Sequence, residues 1–297
     1  MEARKNIKFC GKALSDEELK LILELAKEFW GIARSELAGT VCELLEWTRP
    51  NGKLKTIECI QFLEDLEAKG ILTLPRKRKT GNRGKDKAIS RTVAGEASEV
   101  ISGSPGKLGG AVIERVVSRE QLRVFKELVD RYHYLGHKTP FGAQLRYLVK
   151  CGAEGRLLGC LQYSSPAWKI KARDQWIEWD ARQREKQLQK IIQNSRFLIL
   201  PWVEVKGLAS HILGRVNRRL ADDWQALYGY RPLLLETFVE ARFSGTSYRA
   251  ANWIELGETT GRGRMDRDHD RHGEPPKTIW VYPLCKNARR QLRGTCS

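Results

Sequence analysis

The sequence predicts an α+β chain in two parts, an N-terminal winged helix-turn-helix followed by an α/β domain, and three observations carry that expectation. Three amphipathic segments and a short apolar run ending in a proline fill residues 15–75. A basic stretch rich in glycine, serine and lysine covers residues 80–110. From residue 111 on, apolar strand-like runs alternate with segments whose apolar residues recur every three to four positions, the period of a helix. The boundaries that follow are a helical unit at 1–79, a linker at 80–110 and an α/β domain at 111–297.

Ser15-Asp16-Glu17-Glu18 is a capping box, in which Ser15 and Glu18 satisfy each other's backbone donors. It opens a helix with Leu19, Ile22, Leu23, Ala26 and Phe29 on one face. Residues 35–47 set Leu37, Val41, Leu44 and Leu45 at helical spacing, and Pro50-Asn51-Gly52 makes a turn. Residues 56–69, with Ile57, Ile60, Leu63 and Leu66, stop at Gly70, a residue suited to the left-handed position that ends a helix. Residues 71–75 read as a short strand. A winged helix-turn-helix puts its third helix into a major groove, and a plain three-helix bundle gives the same pattern. The sequel favours DNA. Arg76, Lys77, Arg78 and Lys79, then Arg83, Lys85 and Lys87 against a single Asp86, make a basic tract suited to phosphates at a wing tip. Lys53 and Lys55, ahead of the third helix, are expected to join them. The run behind the tract reads as a largely flexible linker.

In the second part, residues 112–117 read as a strand and Ser118 as the N-cap of a helix that buries Leu122, Phe125, Leu128 and Val129. Residues 144–150 and 156–163 are alternating strands around a turn at 151–155. An Arg- and Lys-rich helix follows Asp174. A strand at 196–205 then leads to a helix bearing Leu208, Ile212, Leu213, Val216, Leu220, Trp224 and Leu227. A further strand at 233–239 has Glu236 in its middle and Glu240 at its end, and the last lies at 278–282.

The chain has 297 residues, with 53 lysines and arginines against 36 aspartates and glutamates, a net charge of +17. Such an imbalance favours polyanions. No apolar run approaches the length of a membrane span and no terminal segment reads as a secretory leader, so a soluble cytoplasmic protein and a nucleic-acid partner are expected. The seven cysteines include no C-x-x-C pair, which supports neither a zinc knuckle nor a disulfide framework.

Buried carboxylates in strands are expensive, which singles out Asp174, Glu236 and Glu240. Brought together, they would suit Mg²⁺, an oxygen-seeking cation able to activate water against a phosphodiester. The plainer account is, for Asp174, an ion pair with Arg173 or a cap on the Arg-rich helix, and for Glu236 an internal salt bridge to Arg262 or Arg264. Tyr248, inside Gly245-Thr246-Ser247-Tyr248-Arg249-Ala250-Ala251-Asn252-Trp253, is a candidate nucleophile or proton donor, or a phenol packed on Trp253. Arg249 and Asn252 beside it, and Arg262 and Arg264 in a glycine-arginine turn, are suited to phosphate. His269 and His272, among aspartates near Pro275-Pro276, read as part of a loop, and His133 and His137 as packed histidines.

Residues 117–284, through the strings ETFVE, GTSYRAANW and GRGR, resemble the DruA-like proteins, a family named after a component of the Druantia anti-phage system and also found beside transposons and prophages. The resemblance implies a DNA-directed role in defence or mobile elements. The order of strands and helices also resembles the mixed sheet of the GNAT acyltransferases, and that likeness would make Tyr248 a general acid. Their pyrophosphate loop would fall on Glu204, Gly207 and Ala209, where the glutamate would repel coenzyme A, so acetyl-CoA is not expected. Three readings stay open. The first is a DNA-binding protein that processes strands as a nuclease or transposase does, on duplex, single-stranded or branched DNA. The others are an acyltransferase and a non-catalytic DNA-recognition subunit recruiting a helicase or transposase. A homodimer is compatible with all three.

Overall fold

The computed structural model describes residues 7–49, 53–76, 89–140, 142–259 and 275–294. The chain opens with a hairpin of β1 (Lys8–Phe9) and β2 (Lys12–Ala13). Its turn residues Cys10 and Gly11 both have positive φ, 46° and 86°, the geometry that suits the twist of two paired strands. Then come α1 (Asp16–Glu28), α2 (Arg34–Leu44) and α3 (Thr56–Ala68), with the capping box at Ser15 and Glu18 formed. Phe9 stacks on Trp47 at 3.6 Å between ring centroids and meets Phe62 edge-on, fastening the hairpin to α3.

The three helices stand where the sequence put them, and the short strand expected behind them does not form. Residues 71–76 make no strand. Nor is α3 built to enter a groove, since it carries Glu58, Glu64, Asp65 and Glu67 and no lysine or arginine, a charge pattern that phosphates repel. Arg34 instead ties α3 to the chain beyond it, reaching Glu64 at 3.3 Å, Glu67 at 2.9 Å and the carbonyl of Pro75 at 2.7 Å.

Next along the chain are β3 (Ile101–Gly103), β4 (Ala111–Arg115) and α4 (Arg119–Tyr132), which Ser118 and Gln121 cap. A hairpin of β5 (Gln144–Cys151) and β6 (Leu157–Ser164) leads through α5 (Lys171–Ile177) and α6 (Ala181–Gln187) to β7 (Ile191–Ile199). There follow β8 (Val203–Val205), α7 (Leu208–Tyr228), β9 (Leu234–Glu240), α8 (Thr246–Ala250), β10 (Ile254–Glu258), β11 (Lys277–Pro283) and α9 (Ala288–Leu292). Seven strands form one mixed sheet in the order β10-β11-β9-β7-β6-β5-β4. All neighbours are antiparallel except β7 and β9, which α7 joins by the long crossover a parallel pair requires.

That parallel ladder is short. It runs from Ile191 and Leu234 to Gln193 and Glu236 and then ends, although both strands continue. Just beyond it β7 bulges against β6: Asn194 faces Tyr163, Ser195 has no partner, and Arg196 faces Gln162. Side chains alternate along a regular strand, so one extra residue sends Asn194 and Arg196 to opposite faces of the sheet. α4 packs on the face that Arg196 joins, against β5, β6 and β7. On the opposite face α7 meets Tyr147, whose hydroxyl donates to Asp223 at 2.7 Å.

One continuous buried cluster runs from Phe9 through the sheet to Trp280, so the first three helices share a core with the α/β part. Ser165 donates its hydroxyl to buried Glu36, and Gln189 bonds Thr40 at 3.1 Å. A side chain on Gly31 would come within 1.8 Å of the Tyr228 carbonyl, so only glycine permits that approach. The expected linker is likewise laid down from residue 89 on. Glu127, fully buried, takes the N–H and hydroxyl of Thr92, each at 2.7 Å, because a buried carboxylate must find donors. Residues 101–103 pair with β8. Among the described residues no helix is long and apolar enough to cross a membrane.

Candidate functional site

Arg173, in the first turn of α5, is fully buried and spends every N–H it has. Nε and Nη2 donate to Asp174 Oδ1 at 3.0 and 2.8 Å. Nη1 donates to Glu236 Oε2 and to the Ala167 carbonyl, both at 2.8 Å, and Nη2 also reaches the Trp168 carbonyl at 3.2 Å. The second oxygen of Glu236 accepts the Ala167 N–H at 3.0 Å. Burial works against the guanidinium's charge, but Glu236 and Asp174 more than offset it, so its pKa stands above the ordinary value.

Asp174 and Glu236 are therefore brought together, as the sequence suggested, around an arginine. Of the plainer accounts of Asp174 the ion pair with Arg173 holds, the cap of the Arg-rich helix being Asp180, and the partner of Glu236 is Arg173 from 63 residues away. Glu240 does not join them. It lies four residues further along β9, roughly 13 Å at the rise of a strand, and bonds Arg242 at 3.1 Å. An Mg²⁺ site built from this trio does not fit, because Arg173 holds Glu236 and Asp174 Oδ1, Arg184 takes Asp174 Oδ2 at 3.5 Å, and the third member is out of reach. Among the described residues no group of three or more His, Cys, Asp or Glu could hold a metal ion.

Tyr248, on α8, reaches across from the α7 face. Its hydroxyl donates to Asn194 Oδ1 at 2.8 Å, and its ring meets Trp253 edge-on at 5.1 Å. Asn194 in turn donates to the carbonyls of Gln162 and Arg196, each at 3.1 Å, and the Thr237 hydroxyl donates to the Asn194 carbonyl at 3.0 Å. This net bridges β7 and β9 where their ladder ends. Burial holds the phenol's pKa above its ordinary value, so Tyr248 stays protonated and is not poised as a nucleophile.

The expected phosphate ligands scatter. Arg249 pairs with Glu255 at 2.9 Å and lies over Trp280, while Asn252 sits exposed in the left-handed region at φ 62°. Lys53 and Arg76 are exposed, and Lys55 lies 5.9 Å over the Phe9 ring. Lys77, Arg78, Lys79, Arg262 and Arg264 lie outside the described residues, as do His269 and His272.

On the α4 face stands a group that the sequence reading passed over. Arg146 on β5, Gln162 on β6 and Arg196 on β7 are direct cross-strand partners and so share one face in a single row. Arg146 donates to Gln162 Oε1 at 3.1 Å and bonds Gln144, and it lies 5.8 Å over the Phe125 ring of α4. Arg196 donates to the carbonyls of Gly136 at 3.1 Å and Ser195 at 2.6 Å. Both are half-buried, and among the described residues neither has a carboxylate partner. Burial lowers the pKa of each from its ordinary value.

The loop after α4 closes over this row. His133 Nδ1 accepts the Leu135 N–H at 3.2 Å, and His137 Nε2 is buried without a partner among the described residues. Burial first, then Arg196 and Arg242, pushes His133 down to about 4. Burial, with Lys126, Arg146 and Arg196 outweighing Asp130, does the same to His137, also to about 4. Both rings are uncharged at neutral pH. The result is a basic row with neutral histidines beside it, chemistry suited to an anion. The available signal was an arginine inside each of two apolar strand runs, Leu145-Arg146-Tyr147 and Ser195-Arg196-Phe197.

A family model, that of the Druantia protein DruA, matches residues 65–270. Among solved structures, spermidine/spermine N-acetyltransferase SpeG from Vibrio cholerae in complex with manganese ions is 12% identical, the match covering 62% of this chain and 98% of that one at a TM-score of 0.38. The dodecameric spermidine N-acetyltransferase of Vibrio cholerae gives 11% identity, 61% and 97% coverage and a TM-score of 0.39. A mosquito arylalkylamine N-acetyltransferase like 5b gives 10%, 59% and 100%, with a TM-score of 0.37. Likeness of this extent brings no substrate, cofactor or assembly to this chain. No curated protein matches.

Proposed function

The chain belongs to the DruA family, and on that premise we propose that it serves an anti-phage defence system by binding DNA rather than by cutting it. One observation carries the reading: Arg146 and Arg196 stand half-buried with only neutral acceptors around them among the described residues, so their charge is left for an anion from outside. The net charge of +17 points to the same class of partner. Cutting has little support. Asp174 and Glu236 are taken up by Arg173, Glu240 by Arg242, and Tyr248 is held as a protonated donor. A subunit that binds without cutting hands the strand to another enzyme, and a helicase or transposase is the class that would act on it.

Fluorescence anisotropy with labelled DNA over a range of salt tests this. Arg146→Ala and Arg196→Ala should each weaken binding about tenfold and flatten the salt slope by about one. Absence of binding at low salt, or affinity untouched in both variants, sinks the proposal.

Acyl transfer is the second reading. It is favoured by the parting of β7 and β9 after Gln193 and by Gly207, at φ 76°, leading into the crossover helix. Against it, Glu204 is exposed on β8 just ahead of that helix, with the wrong charge for a phosphate at a helix N-terminus. Calorimetric titration with acetyl-CoA decides: micromolar binding would revive this reading, and no heat of binding would end it.

A further inference from the structure

The arginine row ends at an exposed aromatic surface. Tyr134 and Phe243 are 44% and 46% exposed, and their rings lie 5.3 Å apart. The Arg242 guanidinium stands 4.0 Å from the Tyr134 centroid and 4.9 Å from that of Phe243. His133 stacks on Tyr134 at 4.6 Å, only 21° from parallel, and Glu240 fixes Arg242 from the rim at 3.1 Å. Two large rings with a guanidinium beside both are therefore left partly in water, an arrangement that burial would ordinarily remove. Arg196 is anchored to the same loop, since it donates to the carbonyl of Gly136, two residues past Tyr134.

A paired base hides its faces in the duplex stack, whereas an unpaired one offers them to aromatic rings and to arginine. From this juxtaposition we propose that Tyr134, Arg242 and Phe243 stack an unpaired base of a DNA strand whose phosphate lies on Arg196. The preferred ligand of this surface is then a single strand or an extrahelical nucleotide, not intact duplex. The proposal rests on the DNA-binding reading above and adds the form of DNA taken.

Binding is measured by anisotropy to a single strand, to its duplex, and to the duplex with one bulged base replaced by a fluorescent adenine analogue. The proteins are wild type, Tyr134→Ala, Phe243→Ala, their double and Tyr134→Phe. The double variant should lose about 10- to 100-fold in affinity for the single strand and the quenching of the bulged analogue, with duplex affinity within about twofold of wild type. Tyr134→Phe, which keeps the ring, should retain both. Because the two rings are exposed, thermal melts of the variants should match wild type, and a variant that does not melt normally is replaced by the single substitution. Equal losses on single strand and duplex, or no loss on either, would overturn the stacking site while leaving DNA binding intact. A wild-type protein that binds neither form would bring down the DNA reading itself, and this inference with it.

Discussion

Arg173 and Arg196 are both drawn out of solvent, and their surroundings are opposite. Arg173 meets two carboxylates and two carbonyls, so its charge is cancelled where it lies and its pKa stands above normal. Arg196 meets two carbonyls and no carboxylate among the described residues, and burial draws its pKa below normal. A cancelled charge is mortar, holding α5 to β9. An uncancelled one keeps its field for a visitor. The residues that looked most catalytic in the sequence belong to the first kind, and those that looked like ordinary strand residues belong to the second.

The sharpest way to break this contrast is to remove a partner. Glu236→Ala leaves a buried guanidinium short of a carboxylate and should destabilise the protein by about 3–5 kcal/mol, read from urea unfolding. Arg173→Met with Glu236→Leu should recover most of that loss, since an apolar pair needs no compensation. Arg196→Ala, by contrast, should cost less than about 1 kcal/mol. Similar losses at Glu236 and Arg196 would erase the distinction.

A smaller effect comes from pH at the arginine row. His133 and His137 titrate at about 4 in the folded chain against 6.5 ordinarily. The unfolded chain therefore binds the extra protons first. The contribution is whole above pH 6.5, is lost as pH falls from there towards 4, and changes no further below that. Discounted for the part of each ring that water reaches, the loss is on the order of 1–2 kcal/mol for the pair. Unfolding at pH 7 and pH 5 measures it, and His133→Gln with His137→Gln should flatten the dependence. A change close in size to that at Arg196 is Tyr248→Phe, which removes one hydrogen bond to Asn194 and should cost about 1 kcal/mol. DNA binding should be unchanged, whereas a loss of strand processing in that variant would restore Tyr248 as a reacting group.

Much of the local structure was legible because its causes are local. Ser15 with Glu18 and Ser118 with Gln121 form capping boxes between residues three apart, and α7 buries its expected apolar stripe except Leu227, which is exposed while Tyr228 is buried. The acidic character of α3 was also in the sequence, and it argued against a groove-reading helix more strongly than the neighbouring basic tract argued for one. The bulge at Ser195 left no comparable mark. Regular alternation would put Asn194 and Arg196 on one face, and only pairing with β6 reveals that they part, one to Tyr248 and the other to Arg146's row.

By itself the sequence determined the main helices and most of the sheet strands, the net positive charge and the family, since caps, periodicity, composition and motif strings are properties of neighbouring residues. The tertiary structure decided which charges are spent and which are left. Arg173 meets Glu236 across 63 residues and Arg146 stands in line with Arg196 across three strands. Electrostatic pairing depends on distance in space and on burial, and neither is fixed until the sheet has closed its register.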